Sequence, residues 1–576
     1  MRQLTRPSGT RGDGEVGGRP GGVARPSLVD RGLVAGCGVA AALPVIVLAV
    51  HALAIGWVPL GDRADYAVRS FDVFSGRTPL VGPWSSGASI AAGAVTYSPG
   101  PLLFWLLAVP ARFLEARSLQ VTAGLVNVAS VIGVVGLALR RGGRPLMFAA
   151  AIALPLMLAS LPADVYSDIW NSSAPLLPLT LLVFLAWSLG CGEYRLLPLA
   201  VLVASFVVQC HLTFVVPALG ALAVGVVGLF AAPRFRPRRG RMGRGALRDR
   251  RRSMRRWLAA AGLVALVCWL PPLIDQATNR PGNLALLARA AASSEPTLGF
   301  EAGWHALVHA VGVLPWWLRD PPTPLGRVAD LVQPPPALAV GSAGLVVGGL
   351  VAVVLAGWRR RRVDVWAAGA LGLVLCAGVA IDAASTPKKA VLTVDYTLRW
   401  ASPAGMCVWL LLGWSLAALL LRGSRQVGAR LTALGAIAAA VTAGAIGGIV
   451  AAGADPAPRP YRQMREINNR LNRQIPARGV TLVEARGVGG AAFSSGIIYS
   501  LRRAGKAVVS PGAGKILGSA YEPGGYERVV RVDVYKPRRE RGRKPGRRIA
   551  RLSFKQPNPT PLREIVEVTL LAAPHH

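Results

Sequence analysis

The sequence predicts an all-α polytopic membrane domain of about eleven transmembrane helices, followed by a small α/β domain outside the membrane. Three observations predict it. Hydrophobic residues make up 52% of the chain and the mean hydropathy is +0.44, values of a polytopic membrane protein and not of a soluble domain. Apolar runs long enough to cross a hydrocarbon core of ~30 Å recur between residues 33 and 453. Beyond them hydropathy falls, and the apolar spacing alternates between helical and strand-like.

The first run, 33–57, has His51 as its one ionisable side chain. It follows a basic tail, 1–32, with Arg2, Arg6, Arg11, Arg19, Arg25 and Arg31, which is expected to be disordered and, by the positive-inside rule, cytoplasmic. The run is longer than a signal-peptide core and more spans follow it, so no cleaved signal is expected. The segment after it is therefore outside. Run 102–114 is too short to span and reads as a helix at the outer interface, started by prolines that suit a helix N-terminus. Run 121–139 returns to the basic cluster Arg140, Arg141 and Arg144, 146–161 goes out, and 175–189 comes back to a turn at 190–195.

Run 196–232 must begin and end inside, because the Arg-rich segment 234–256 follows it. It is too long for one span and folds as a hairpin with Gln209, His211 and Thr213 at the outer turn. Then 257–273 exits, 338–358 re-enters before Arg359 to Arg362, 365–381 leaves, 400–421 returns to Arg422 and Arg425, and 431–452 exits last. The outer loops are 58–120, 162–172, 274–337 and 382–399. Every strongly basic loop falls on one side and every long acidic loop on the other, a parity that one miscounted span would break.

The remaining residues, 454–576, read as helix at 461–474, strand at 480–484, a Gly-led helix at 493–503, and strands at 507–509 and 529–535. The Gly-Val-Gly-Gly at 487–490 lacks the Lys of a phosphate loop and reads as a structural turn. The basic stretch 538–551 reads as a solvated loop able to meet anionic lipid or glycan.

The formal charge of +37 does not indicate nucleic acid, because the basic residues sit between apolar runs and in the tails, where topology and membrane lipids account for them. The six cysteines lie in or beside apolar runs without metal-ligand spacing, so no disulfide framework is expected. His305 and His309 have the i, i+4 spacing of a helical metal pair but no HExxH pattern or fixed carboxylate, and no metal site is assigned.

Chemistry concentrates at the outer surface. Asp62, Asp65 and Asp72 arrive within one stretch of eleven residues after the first span, a second acidic loop adds Asp164, Asp168, Trp170 and Asn171, and the forced hairpin brings His211 to the same side. A single acid there reads as a solvated loop residue; the grouping reads as a site.

These residues resemble the glycosyltransferase C superfamily (GT-C), in particular actinobacterial membrane proteins with a domain like that of the RgtA/B/C/D and protein-mannosyltransferase enzymes. The matching pieces are Gly61-Asp62, Asp72-Val73 followed by Pro79-Leu80-Val81-Gly82, Pro99-Gly100-Pro101-Leu102-Leu103-Phe104, and Asp168-Ile169-Trp170-Asn171. Ala204 to His211, Pro271 to Gln276 with Pro281-Gly282-Asn283, and Arg399-Trp400 complete them, over residues 30–420. The chain departs from the pattern at Ser98, where a His usually precedes Pro-Gly-Pro, and at Ser172, where a Pro usually follows Trp-Asn.

The resemblance implies a GT-C-like membrane glycosyltransferase of the plasma membrane. Such an enzyme moves a sugar from a polyprenyl-phosphate donor to a cell-envelope glycan, lipid or protein acceptor on the outer face, usually with inversion. It implies an Asp of the first outer loop as general base, Asp62 first and Asp72 second. A positioned carboxylate that takes the acceptor proton contributes ~10²- to 10⁴-fold. The expected substrate-binding set is Arg63, Asp65, Arg69, Asp168, Trp170, Asn171, Gln209, His211, Asp275, Arg289 and Arg399, with Lys388 and Lys389 also on the outer side. Cations and donors in this set would offset charge developing on the lipid phosphate. No cofactor is required, although acids beside a lipid phosphate can recruit a divalent cation. The alternatives are a secondary transporter or flippase and a non-catalytic relative. Against a transporter, the spans are nearly free of charge and no internal repeat is visible.

Overall fold

The computed structural model describes residues 27–235, 244–323, 325–421, 429–453, 459–487, 490–535, 546–555 and 563–572. The basic tail before residue 27, the middle of the Arg-rich loop, Arg422, Arg425, residues 488 and 489 of the glycine turn and the basic stretch 538–545 lie outside the described residues.

Helices α1 (Leu28–Ala41) and α2 (Leu43–Ile55) form the first apolar run, bent by 55° where Pro44 enters the first turn of α2. A proline there has no backbone N–H to continue the ladder and crowds the preceding turn. The segment after this run carries α3 (Asp62–Asp72), α4 (Ser86–Ala92) and α5 (Leu102–Phe113). The next helix, α6 (Ser118–Ala159), has 42 residues but leaves helical geometry at Gly143, with φ 70°. A straight helix of that length would measure about 63 Å. Asn127, near its start, instead donates to the carbonyl of Tyr166, just beyond its end, at 2.7 Å. It is a hairpin, and its arms are the two runs expected at 121–139 and 146–161.

The hairpin of α8 (Leu197–Cys210) and α9 (Val215–Phe235) turns at His211, after α7 (Leu176–Gly190). Then come α10 (Arg244–Thr278), the shorter helices α11 (Asn283–Ala291), α12 (Gly299–Val311) and α13 (Gly326–Val332), and the long helices α14 (Ala337–Arg359) and α15 (Val363–Ser385). The short α16 (Val394–Thr397) precedes α17 (Ala401–Leu420) and α18 (Ala429–Gly453). Among the described residues seven helices are long and apolar enough to cross a membrane, eight with the bent α1–α2 pair. Counting the second arm of α6 and the shorter α7 and α8 recovers the eleven expected runs. At 15 and 14 residues α7 and α8 fall short of the ~20 needed to span alone, and every residue of α7 except the half-buried Leu181 is buried by its neighbours.

The basic loops meet at one end of this multi-pass bundle. Glu193 pairs with both Arg140 and Arg141, Arg144 reaches Asp30 at 3.1 Å, Trp187 donates to the carbonyl of Asp364, and Arg362 to that of Ala418. The acidic loops gather at the other end, where Arg63 meets Asp168 and Trp400 meets Asp382.

The C-terminal domain contains α19 (Arg459–Gln474), β1 (Val480–Arg486), α20 (Gly490–Arg503), β2 (Ala507–Val509), α21 (Gly514–Leu517), β3 (Arg528–Tyr535), β4 (Arg547–Lys555) and β5 (Arg563–Ala572). The sheet order is β2-β1-β3-β5-β4, with β1 parallel to β2 and β3, and β5 antiparallel to β3 and β4. One expectation is corrected: residues 547–551, read as part of a solvated loop, form half of edge strand β4, with a bulge between Arg548 and Ala550. Arginines on an edge strand keep it soluble while hiding its alternation from a hydropathy reading. The domain rests on the segment that carries α3 and α5, where Tyr66, Phe71 and Phe104 share one apolar cluster with Met464, Ile497 and Tyr521.

Candidate functional site at the start of helix α3

Gly61 starts α3 with φ 55° and ψ −138°, a combination that favours glycine, and its N–H donates to the carbonyl of Ala492 at 2.9 Å. The apolar face of α3, including Ala64, Ala67, Val68 and Phe71, is buried, which leaves Asp62 exposed at its first turn. Asp62 faces a cavity of about 710 Å³ bounded by α3, the loop before α4, the His211 turn, α11 and the end of α15. Asp65, Trp170, Asn171 and His211 of the expected set line it too.

Each lining group has a local anchor. Tyr66 donates to Asn171 Oδ1 at 2.9 Å, fixing the amide at the cavity wall. Trp170 stacks beside Tyr396 with ring centroids 4.6 Å apart, and the guanidiniums of Arg63 and Arg399 lie over its ring at 5.7 and 5.6 Å. His211 Nδ1 accepts from the backbone N–H of Thr213 at 3.3 Å, which leaves the proton on Nε2, available as a donor. Asp65 is 7% exposed; burial pushes its carboxyl up to about 7, reinforced by the charge of Asp62 and opposed by a hydrogen bond from Ser495.

The other expected residues are committed elsewhere. Asp72 is fully buried, accepting from Arg502 Nη2 at 2.9 Å and Tyr521 Oη at 2.7 Å. Arg63 forms a two-pronged pair with Asp168, both contacts 2.7 Å, and reaches Asp164 at 3.2 Å. Arg69 donates to the carbonyl of Leu517 at 2.6 Å. Gln209 ties α8 to α10 through the Cys268 carbonyl (2.8 Å) and accepts from the N–H of Leu102 (3.3 Å). Its Oε1 would lie 2.3 Å from any Cβ placed on Gly100, so the Pro-Gly-Pro turn needs that glycine. Asp275 accepts from Asn279 and from the backbone of Asn283 at the start of α11, both at 2.8 Å. Arg289 is exposed on α11 and does not line the cavity, nor do Lys388, Lys389 and Arg399. Arg399 stands behind Trp170, with Nε buried and unpaired. Lys389 instead pairs with Glu295 at 2.8 Å. Among the described lining residues none is Arg or Lys.

His305 and His309 are buried in α12, His305 bonded to the Leu331 carbonyl and His309 to Arg319. No group of three or more His, Cys, Asp or Glu among the described residues is arranged to hold a metal ion. The cavity also contains residues that sequence reasoning did not single out: Trp84, Glu295, Asp382, Tyr396 and Ile516 of the C-terminal domain. An acid at the end of an otherwise apolar helix was a usable signal for Asp382.

A larger cavity, about 1030 Å³, lies among α1, α5, α6, α7 and α8. Its walls are almost wholly apolar, with Asp30, Arg31 and Arg140 at one end and Leu102, Trp105 and Phe206 at the other. It has room for lipid but few groups for chemistry, so the smaller polar cavity is the candidate active site.

No family model matches this chain, and no curated protein matches it. Among solved structures it is similar to ArnT from Cupriavidus metallidurans bound to undecaprenyl phosphate, at 13% identity and a TM-score of 0.43, over 91% of this chain and 96% of that one.

Proposed function

We propose that this chain is a membrane glycosyltransferase that moves a sugar from a polyprenyl-phosphate donor to a hydroxyl of a cell-envelope glycan, lipid or protein acceptor on the outer face. The observation that carries the reading is Asp62: an exposed carboxylate at the start of a helix, facing a polar cavity at the acidic end of a membrane bundle. The resemblance of the first outer loop to the glycosyltransferase C superfamily supports the same assignment.

In this reading the acceptor hydroxyl attacks the anomeric carbon as Asp62 takes its proton. The bond from that carbon to the phosphate oxygen breaks, the configuration inverts, and polyprenyl phosphate leaves. Nε2–H of His211 donates to the phosphate, while Asn171, Tyr396 and Trp170 offer an amide, a hydroxyl and an aromatic face to the sugar. The apolar groove reaches Leu102 and Phe206, and the cavity is lined by the nearby Pro99 and Val208, which suits a donor with a sugar head and a long hydrocarbon tail.

The test is release of polyprenyl phosphate from polyprenyl-phosphate sugars by the full-length protein in lipid nanodiscs. Release that depends on Asp62 supports the reading; a fully active Asp62→Asn removes it. Sidedness is tested separately with Ser519→Cys, which should react with a membrane-impermeant thiol reagent in intact cells.

A further inference from the structure

The C-terminal domain holds α3 along its whole length. Ala492 accepts from Gly61 at the helix start (2.9 Å), Leu517 accepts from Arg69 in the last turn (2.6 Å), and Arg502 with Tyr521 binds Asp72 at the end. Asp72, Arg502 and Tyr521 form a closed triad, because Arg502 Nε also donates to Tyr521 Oη at 3.0 Å. Asp72 is fully buried and the Arg502 side chain is 15% exposed. Each carboxylate oxygen already accepts a hydrogen bond, and neither Asp72 nor Arg502 lines the cavity. The triad joins residues about 430 positions apart in the chain, so no local folding preference explains it. From the membrane domain, Arg63 grips the start of the helix through Asp168.

We propose that Arg502, with Tyr521, is a positioning residue for the transfer reaction: by latching Asp72 it fixes the pose of α3, and so the place of Asp62 in the cavity. The inference rests on the reading of Asp62 as the base. A helix moves nearly as a rigid rod, and Asp62 stands about 15 Å from Asp72 along it. A tilt at the latched end therefore shifts the carboxylate at the other, and a misplacement of ~1 Å can cost ~10²-fold in rate. The C-terminal domain then works as part of the active site without touching the reacting atoms, and a loss of activity on changing Asp72 does not make Asp72 a base.

The experiment uses the full-length protein in lipid nanodiscs, with Arg502→Met, Arg502→Lys, Tyr521→Phe, Asp72→Asn and the Asp72→Asn/Arg502→Met double variant. Two readouts are taken: release of polyprenyl phosphate from polyprenyl-phosphate sugars, and hydrogen exchange of the α3 amides against those of α7. The expected result for Arg502→Met is a kcat lowered ~10- to 100-fold with donor KM changed less than about twofold, and faster exchange in α3 but not α7. Arg502→Lys should restore part of both. The double variant should lose no more than the worse single variant, since the two residues act as one unit. Wild-type kcat and α3 exchange in Arg502→Met overturn the proposal, as does a fully active Arg502→Met beside an inactive Asp72→Asn, which makes Asp72 itself the base. If Arg502→Met does not fold, Tyr521→Phe, which deletes one hydroxyl, carries the same comparison. Should Asp62→Asn prove fully active, the base reading fails, while α3 exchange still decides whether the latch exists.

Discussion

Asp62 and Asp72 stand at opposite ends of one eleven-residue helix, the first exposed at a cavity, the second fully buried beneath the C-terminal domain. Their chemistry is the same, and so is their place after the first membrane run. They differ in what surrounds the carboxylate. Asp72 has an Arg and a Tyr filling both oxygens, whereas Asp62 faces space that a substrate can enter. Proximity to a predicted active surface therefore selects a group of acids, and whether the carboxylate faces open space separates the proposed base from a strut.

The sharpest way to break this contrast is Asp62→Asn. It keeps size and most hydrogen-bonding capacity but cannot take a proton. Transfer should fall by ~10²-fold or more, with unfolding temperature near wild type, because general-base assistance has that magnitude and an exposed side chain contributes little to stability. Release of polyprenyl phosphate and thermal unfolding, measured side by side, check it. Asp72→Asn should give the opposite balance. Removing one partner of a buried ion pair costs ~3–5 kcal/mol, so the C-terminal domain should loosen and become sensitive to protease at lower temperature. Equal thermal stability of the two variants would erase the distinction.

Much of the architecture was legible because membrane insertion imposes few rules on long segments. Run length demanded the turn near His211, and the Arg140–Arg144 cluster demanded that the 118–159 segment fold back, as Gly143 lets it do. Strand β4 was not legible, because its arginines hide a two-residue period behind a basic composition, whereas β5, with its Ile, Val and Thr, carries an ordinary strand signal that went unread. Within the site, Asp62, Asp65, Trp170, Asn171 and His211 lie on segments up to about 150 residues apart in sequence that the topology had already brought to one end. The uses of Arg63, Arg69 and Gln209 were not legible, since each depends on a partner far along the chain, whereas Asp275 is filled by its near neighbours Asn279 and Asn283. Sequence reports that a polar group is present; only packing reports whether it is already satisfied.

His211 sharpens the comparison at the donor side. Its Nδ1 is used in the turn, so its remaining donor is Nε2–H. A hydrogen bond to a charged group is worth ~1.5–3 kcal/mol, so His211→Ala should raise donor KM about tenfold or more while acceptor KM stays unchanged. His211→Asn, which can still accept from Thr213, separates the two roles: it should keep the turn's thermal stability and still lose donor affinity. Loss of stability with normal donor KM in both variants would make His211 a cap alone.

Asp65 lies between the two extremes, buried like Asp72 and lining the cavity like Asp62, and its effect should be the smallest and the most dependent on pH. Burial, helped by the neighbouring Asp62 charge and opposed by the Ser495 hydrogen bond, holds its carboxyl up to about 7, against the ordinary 3.8 of an aspartate. The folded protein therefore binds this proton more tightly than the unfolded chain. The associated stabilisation is fully present below the unfolded value, declines as pH rises, and is lost once pH passes the folded value. Asp65→Asn resembles the protonated acid at every pH. The variant's thermal stability should match wild type near pH ~4, exceed it by a growing margin as pH rises to ~7, and keep a constant margin above ~8. Thermal unfolding followed by Trp fluorescence in one lipid and one ionic strength measures the difference curve. A difference that stays flat from acid to alkaline pH would place Asp65 with Asp62, as a solvated carboxylate; a variant destabilised most at high pH would place it with Asp72, as a charge the fold requires.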